Sequence, residues 1–509
     1  MSTVQQSRLS AQPSSRSQLV SRIFSFPVMC IFLIAAVIFA YAPRGIGIAE
    51  PDIWWRLRNA AYILQHHSIL RADIFSFTAM GVPWTNFEWL SDLIFLGAFK
   101  AHGLQGLVVL YSLVMLAIFA GAYYRAIRAG ADCKDAAVLT TAGVCLAAVA
   151  LAPRALLFGW LCITILLLVL DRFQKTGTAL WILPPLFALW INLHGSWIYG
   201  MVVLGLTIAS GLVQGTWGQV AARRWNSTEL RKLLLASAAS VAALFLNPFG
   251  YKLLLVPLQF FKMQSFMQYV DYWRPVDFET WNGKLAMALV FLIVAAALFS
   301  ARRWELRDVL LLAFALWSGL SHVRFLDFTA FISVPILAPH IKLFPPYDPD
   351  IDKPWLNAVV MAGITVALIF TFPSARRLQQ TVDNEYPSAA LKYMQQHGIN
   401  GRIFSPAEFG GFIEWTAPDV QSFTDGRSVF VETGIFQDSM RALLNNEPFP
   451  ILDRYRVDHV LLEKTWPLAS VLMNSPDWRP IYSDNLVLLF ERSSLPAQQQ
   501  GGGNLKGKL

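Results

Sequence analysis

Residues 24–58 read FSFPVMCIFLIAAVIFAYAPRGIGIAEPDIWWRLR, and their order decides the architecture. The run 24–43 is apolar and close to the roughly 20 residues that cross a bilayer as a helix. A tail carrying Arg8, Arg16 and Arg22 and no acid precedes it, which places the N-terminus on the cytoplasmic side. Just past the run, Pro51-Asp52-Ile53-Trp54-Trp55-Arg56-Leu57-Arg58 sets a carboxylate, two indoles and two guanidiniums at the opposite face. Ionisable groups near the membrane are costly unless they are paired or used.

Outward from this stretch the same pattern recurs. Hydrophobic residues make up 55% of the 509-residue chain and charged residues only 15%, with a mean hydropathy of +0.46. Those values exceed what a soluble domain carries and predict an α-helical polytopic membrane protein. Candidate spans are 24–43, 104–124, 135–152, 155–171, 179–193, 198–215, 231–247, 284–301, 307–321, 325–341 and 355–373, about eleven crossings. The stretch Trp89–Phe99 is shorter than a span and is expected to lie in the interface or to dip back, with Trp84 and Trp89 at headgroup depth.

Basic residues test the orientation. Arg125, Arg128 and Lys134 follow the second span, Arg172 and Lys175 the fourth, Arg223, Arg224, Arg231 and Lys232 the sixth, and Arg302, Arg303 and Arg307 the eighth. All of these loops are thereby assigned to the inside. Two places depart from the rule: loop 342–354, assigned inside, carries Asp348, Asp350 and Asp352, and Arg376-Arg377 follow the last span outside. The net charge of +8 is spread over membrane-flanking loops, which argues against a nucleic-acid partner. Cys30, Cys133, Cys145 and Cys162 fall in spans or the cytoplasmic loop, so no disulfide framework is expected. The first span lacks a small-residue cleavage site and is expected to stay as a helix.

Four regions follow. Residues 1–23 form a disordered cytoplasmic tail, 24–373 a transmembrane module with a first outer loop at 44–103, 374–494 an exterior α/β domain, and 495–509 a flexible tail. Within the exterior domain, Ala389–Gln396 reads as helix and Arg402–Ser405, Val457–Leu462 and Val487–Phe490 as strands. Gly410-Gly411 reads as a tight turn and Asp425-Gly426 as a hairpin turn.

The topology gathers polar groups on the outer face. The first loop brings Asp52, Arg56, Arg58, Asp73 and Glu88; Arg154 lies between spans three and four, and Asn192, His194 and Trp197 follow span five. Later loops add Lys252, the run Asp271-Tyr272-Trp273-Arg274-Pro275-Val276-Asp277, and Ser321-His322-Val323-Arg324.

With these residues in view, the chain resembles the C-type (GT-C) membrane glycosyltransferases, a superfamily that includes protein O-mannosyltransferases, aminoarabinose transferases and the catalytic subunit of oligosaccharyltransferase. Its members carry an acidic residue in the first outer loop soon after span one, then juxtamembrane helices, many spans and often an exterior C-terminal domain. Asp52 stands at that place. The segments Asp52–Arg56, Ile69–Ser76, Trp84–Leu90 and Asn192–Ser196 resemble those of bacterial members, and Ala407–Trp415 with Thr424–Arg427 is similar to their exterior acceptor motif. The metal-binding acidic pair of oligosaccharyltransferases has no counterpart near Pro153-Arg154. No cofactor is therefore implied, and dependence on a divalent metal stays open.

The resemblance implies transfer of a sugar from a polyprenyl-phosphate-linked donor to a glycan, lipid or protein acceptor outside a bacterial plasma (inner) membrane. Such a donor already has a good leaving group, so the enzyme needs a base for the acceptor hydroxyl and cations for the departing phosphate. Asp52 is the expected base and Glu88 orients the acceptor or sugar. Arg56, Arg58, Arg274 and Arg324 are the expected phosphate ligands, and Trp54, Trp55, His194, Tyr272, Trp273 and His322 the substrate contacts. One carboxylate used directly gives inversion; retention needs a second carboxylate as nucleophile.

Plainer roles stand beside these. Asp52 also reads as a helix cap, the cations as snorkelling side chains, His194 as a helix-end histidine, and most of the 18 tryptophans as an interface belt. A transporter or flippase would also bury charge, yet the internal repeats typical of such folds are absent from the sequence. A non-catalytic component of a polysaccharide assembly machine would leave Asp52 replaceable.

Overall fold

Each expected span is helical over most of its length in the computed structural model, which describes residues 15–45, 50–148, 151–260 and 273–493. Among them, five helices are long and apolar enough to cross a membrane: Leu19–Arg44, Trp89–Arg128, Leu156–Thr176, Trp281–Phe299 and Pro354–Thr371. The other expected spans are helices of 17 residues or fewer. Side chains such as Phe299 (86% exposed) and Phe370 (83% exposed) face outward from the bundle. Apolar exposure on that scale is unfavourable in water and fits a surface bathed in lipid.

Hydrogen bonds and ion pairs sort the loops into two ends. At one end, Arg125 and Arg307 both pair with Asp171, Lys175 donates to the Arg128 carbonyl, and Lys232 donates to the Gly177 carbonyl. Asp352 accepts the Phe26 amide and the Tyr347 hydroxyl there, at 3.0 and 2.6 Å. Loop 342–354 therefore lies beside the start of the first span, at the end to which it was assigned. Asp352 and the neighbouring Asp132 and Asp135 are acceptors for backbone amides, which accounts for acids where the charge rule expects bases.

Helix α1 (Phe26–Tyr41) leads toward the other end, where α2 (Asp52–His66) follows. In α3 (Trp89–Arg128) the backbone breaks at His102 and Gly103, where Gly103 adopts φ 57°. Glycine takes that conformation without a β-carbon clash. The break divides the expected interfacial segment 89–99 from the span that follows.

The C-terminal part builds a five-stranded sheet. Strands β1 (Gly401–Phe404), β2 (Val420–Ser422), β3 (His459–Glu463), β4 (Trp478–Ser483) and β5 (Val487–Arg492) run in the order β2-β1-β3-β5-β4. The first three are mutually parallel and β5 pairs antiparallel on both sides. Edge strand β2 is covered by the loop after the first span: Ser76 bridges Ser422, and the Phe77 amide donates to the Ser422 carbonyl at 3.2 Å. An edge covered in this way cannot pair with another chain.

Two local expectations are corrected here. Gly410 and Gly411 lie inside helix α4 (Ala407–Thr416), not in a turn. A β-carbon on Gly411 would stand 3.0 Å from the Trp55 amide nitrogen, so the glycine lets α4 press against α2. Asp425-Gly426 forms no hairpin either; β2 pairs in parallel with β1, and the chain runs on into the short helix Ser428–Glu432.

Candidate functional site

Charged residues from six separate stretches meet at the end where α2 lies. Arg56, on the buried face of α2, pairs with Glu88 and, at 3.2 Å, with Asp92. Asp92 also accepts from Asn59 at 2.6 Å and Asn86 at 2.8 Å. Glu88 is shared: its second oxygen lies 3.1 Å from Nε2 of His194. Because Nδ1 of His194 accepts the Ser196 amide at 2.9 Å, the ring proton belongs on Nε2 and is donated to Glu88. Nearby, Arg154 pairs with Glu50, and Asp327 accepts from the Trp160 indole at 2.7 Å.

Arg324 stands between these groups. Its guanidinium lies 4.0 Å from the centre of the Trp273 ring, and it interacts electrostatically with Glu50, Glu88 and Arg154. It forms no ion pair among the described residues, and its Nε is buried without a hydrogen-bond partner. His322 turns the edge of its ring toward Trp273 at 5.6 Å. The Val323 amide donates to the Arg274 carbonyl at 3.1 Å, tying the two late loops together, but the Arg274 side chain itself is exposed. Tyr272 lies outside the described residues.

Arg56 and Arg58, both expected to hold phosphate, do not face the same way. Residues two apart on a helix point roughly 200° apart. Arg56 faces the bundle, whereas Arg58 lies over Phe75 at 5.4 Å, toward the C-terminal domain. Its Nε is buried without a partner. Arg56 has its charge met by two carboxylates, Glu88 and Asp92. Trp54 and Trp55 are likewise buried, at 4% and 5% exposure. Trp54 packs edge-on against Tyr386 and Phe412, and Trp55 edge-on against Trp84, which leaves neither ring face open to a sugar.

Asp52 opens α2, following Pro51 at the cap position, and makes no capping hydrogen bond of its own. Its Oδ1 accepts from the Trp55 indole at 3.0 Å, and among the described residues Oδ2 has no donor. The carboxylate is half-buried and lies where the C-terminal domain meets the bundle. A carboxylate with one oxygen held and one free is suited to receive a proton.

That junction is fastened by a second charged group. Arg427 is fully buried and pairs with Asp73 of the first loop at 2.6 Å, Asp425 at 2.7 Å and Glu414 at 3.2 Å. Three carboxylates face one guanidinium. Burial, followed by the Asp425 charge, pushes Glu414 well above the usual carboxylate range. Burial also raises Asp425 against the lowering effect of Arg427. Arg427 itself stays protonated, because the carboxylates outweigh the opposing effect of burial.

Beside both groups opens a cavity of about 270 Å³, lined by Arg71, Trp84, Phe87, Phe249, Lys252 and Glu432 among others. Trp84 packs on Trp55 and Phe87 packs against His194, so its walls touch the surroundings of both Asp52 and Glu88. Among the described residues no three His, Cys, Asp or Glu side chains gather as a metal-holding group.

Glu50, Asp92 and Asp327 were not singled out from the sequence. A signal existed for the last two, since each is an isolated acid at the start of a long apolar helical run, where a charge is kept only with a partner. A comparison with protein-family models finds no matching family, and a comparison with curated proteins finds no similar chain.

Proposed function

We propose that this chain is an integral membrane glycosyltransferase. It moves a sugar from a polyprenyl-phosphate-linked donor to an acceptor at the outer face of a bacterial inner membrane, with the N-terminus cytoplasmic and the sheet domain outside. The observation that carries this reading is a carboxylate oxygen on Asp52 with no donor among the described residues, at the same end of the bundle as Arg324, a half-buried cation with no ion pair among the described residues. In the proposed step, Asp52 Oδ2 takes the acceptor hydroxyl proton while that oxygen attacks the anomeric carbon. The bond from the anomeric carbon to the phosphate oxygen breaks, and polyprenyl phosphate leaves with the electron pair. Arg324 offers its planar guanidinium to the departing phosphate, held over Trp273. Glu88, fixed by Arg56 and His194, orients the sugar or acceptor. Direct displacement inverts the anomeric centre.

The test uses purified protein in lipid with a labelled polyprenyl-phosphate sugar, scoring release of polyprenyl phosphate by wild type and Asp52→Asn. Release that requires Asp52 supports transfer. Movement of intact lipid-linked sugar across the bilayer without release would replace this reading by a flippase, and no change of the donor at all by a non-catalytic role.

A further inference from the structure

Gly426 lies against the carboxylate of Asp52: a β-carbon at this glycine would occupy the place of Asp52 Oδ1. The φ of Gly426 is outside the left-handed range, so the backbone alone would accept any L residue. The nearby carboxylate is what demands glycine. Oδ1 is also the oxygen that holds the Trp55 indole, and Trp55 carries Gly411 against its backbone. One contact from the exterior domain thus meets the Asp52 carboxylate, and a second meets Trp55, whose indole bonds to that carboxylate. The residues flanking Gly426, Asp425 and Arg427, are themselves immobilised in the buried group that includes Asp73 of the first loop.

We propose that the exterior domain is a working part of the Asp52 site: Gly426 sets the position of the carboxylate, and Arg427 is a positioning residue that holds Gly426 in place. An aspartate in the first turn of a helix otherwise has several rotamers open to it. Contact with Gly426 and the bond from Trp55 engage the same oxygen and leave Oδ2 as the one that receives a proton. The proposal rests on Asp52 as the base, and a displacement of about 1 Å at such a group costs on the order of 100-fold in rate.

Gly426→Ala is the direct test, in full-length protein in lipid. The expected result is a fall in kcat of about 100-fold, little change in donor KM, and faster labelling of Asp52 by a water-soluble carbodiimide, read by mass spectrometry of its peptide. Full turnover with unchanged labelling would overturn the proposal. Because the methyl group could also unfold the junction, melting is compared in a double-mutant cycle with Asp52→Gly. There the methyl finds space, and Gly426→Ala is expected to be neutral. Equal destabilisation with and without the Asp52 side chain would show that Gly426 serves only its own domain and would sink the idea. Arg427→Lys keeps the charge and loses the fork; it is expected to raise Asp52 labelling as Gly426→Ala does, and unchanged labelling removes its positioning role. Labelling and the melting cycle need no transferase activity, so failure of the glycosyltransferase reading and failure of this contact are separable.

Discussion

His194 donates through Nε2 to Glu88 at 3.1 Å while its Nδ1 accepts the amide of Ser196 at 2.9 Å, so one imidazole links the end of a buried helix to the carboxylate that Arg56 also holds. Both ring nitrogens are used, which makes His194 an orienting group for Glu88. His194→Gln can still present an amide N–H to Glu88 and is expected to keep turnover within a few-fold. His194→Ala leaves Glu88 short of a donor, and loss of a hydrogen bond to a charged group, roughly 1.5–3 kcal/mol, corresponds to a fall of about 10- to 100-fold. Steady-state turnover of the two variants checks this; equal loss in both would point to a proton-transfer role for the ring.

Asp52→Asn keeps the size of the side chain and removes its basicity. Sugar transfer is expected to fall by about 10²- to 10⁴-fold, with folding and donor binding nearly unchanged. Activity within a few-fold of wild type, measured as polyprenyl-phosphate release, would exclude Asp52 as the base.

Arg324→Lys keeps a cation but gives up the planar fork and the stack on Trp273. Turnover is expected to drop at least about tenfold, whereas Arg274→Lys, at an exposed position, is expected to retain it. Donor KM and kcat measured side by side for both variants decide between the two loops. Loss at Arg274 alone would move the phosphate to that loop.

Glu414 is held above its ordinary value of 4.5 in the folded domain, chiefly by burial. A raised folded-state pKa means a contribution to stability that is complete below the unfolded value and lost as pH climbs through the folded one. Glu414→Gln mimics the protonated acid and has no such dependence. Its melting temperature is expected to match wild type near about pH 4.5 and to exceed it progressively toward about pH 8. Parallel pH profiles of the two proteins would show that Glu414 is ionised throughout.

Orientation is testable with single cysteines at exposed positions. Ser405 is fully buried and unsuited, but Asn446 and Arg303 are both exposed, at opposite ends of the molecule. An impermeant thiol reagent applied to intact cells is expected to label Asn446→Cys and to reach Arg303→Cys only after membrane disruption. The reverse pattern would place the Asp52 end in the cytoplasm.

The apolar runs and the loops joining them were legible because each depends on local composition. A stretch that must satisfy its own backbone in lipid has to be helical, and the residues flanking it reveal its ends. Convergence of Glu88, His194 and Arg324 at one end followed from the order of the loops. What local sequence could not convey was partnership. Arg56 and Arg58 stand two positions apart and were both expected to hold phosphate, yet the helix sends them to opposite sides, one into Glu88 and Asp92, the other over Phe75.

By itself, then, the sequence determined the helical class, the alternation of loops between two ends, and the position of Asp52 at the mouth of the first loop, all from hydropathy and spacing along the chain. Only the tertiary structure decided which charges are spent and which are free: Arg56 is matched by two carboxylates, Arg324 by none among the described residues, and Asp52 is met by a glycine 374 positions further along the chain. The physical reason is that a charge or a close contact is defined by neighbours in space, and those neighbours come from stretches whose separation in sequence carries no trace of their meeting.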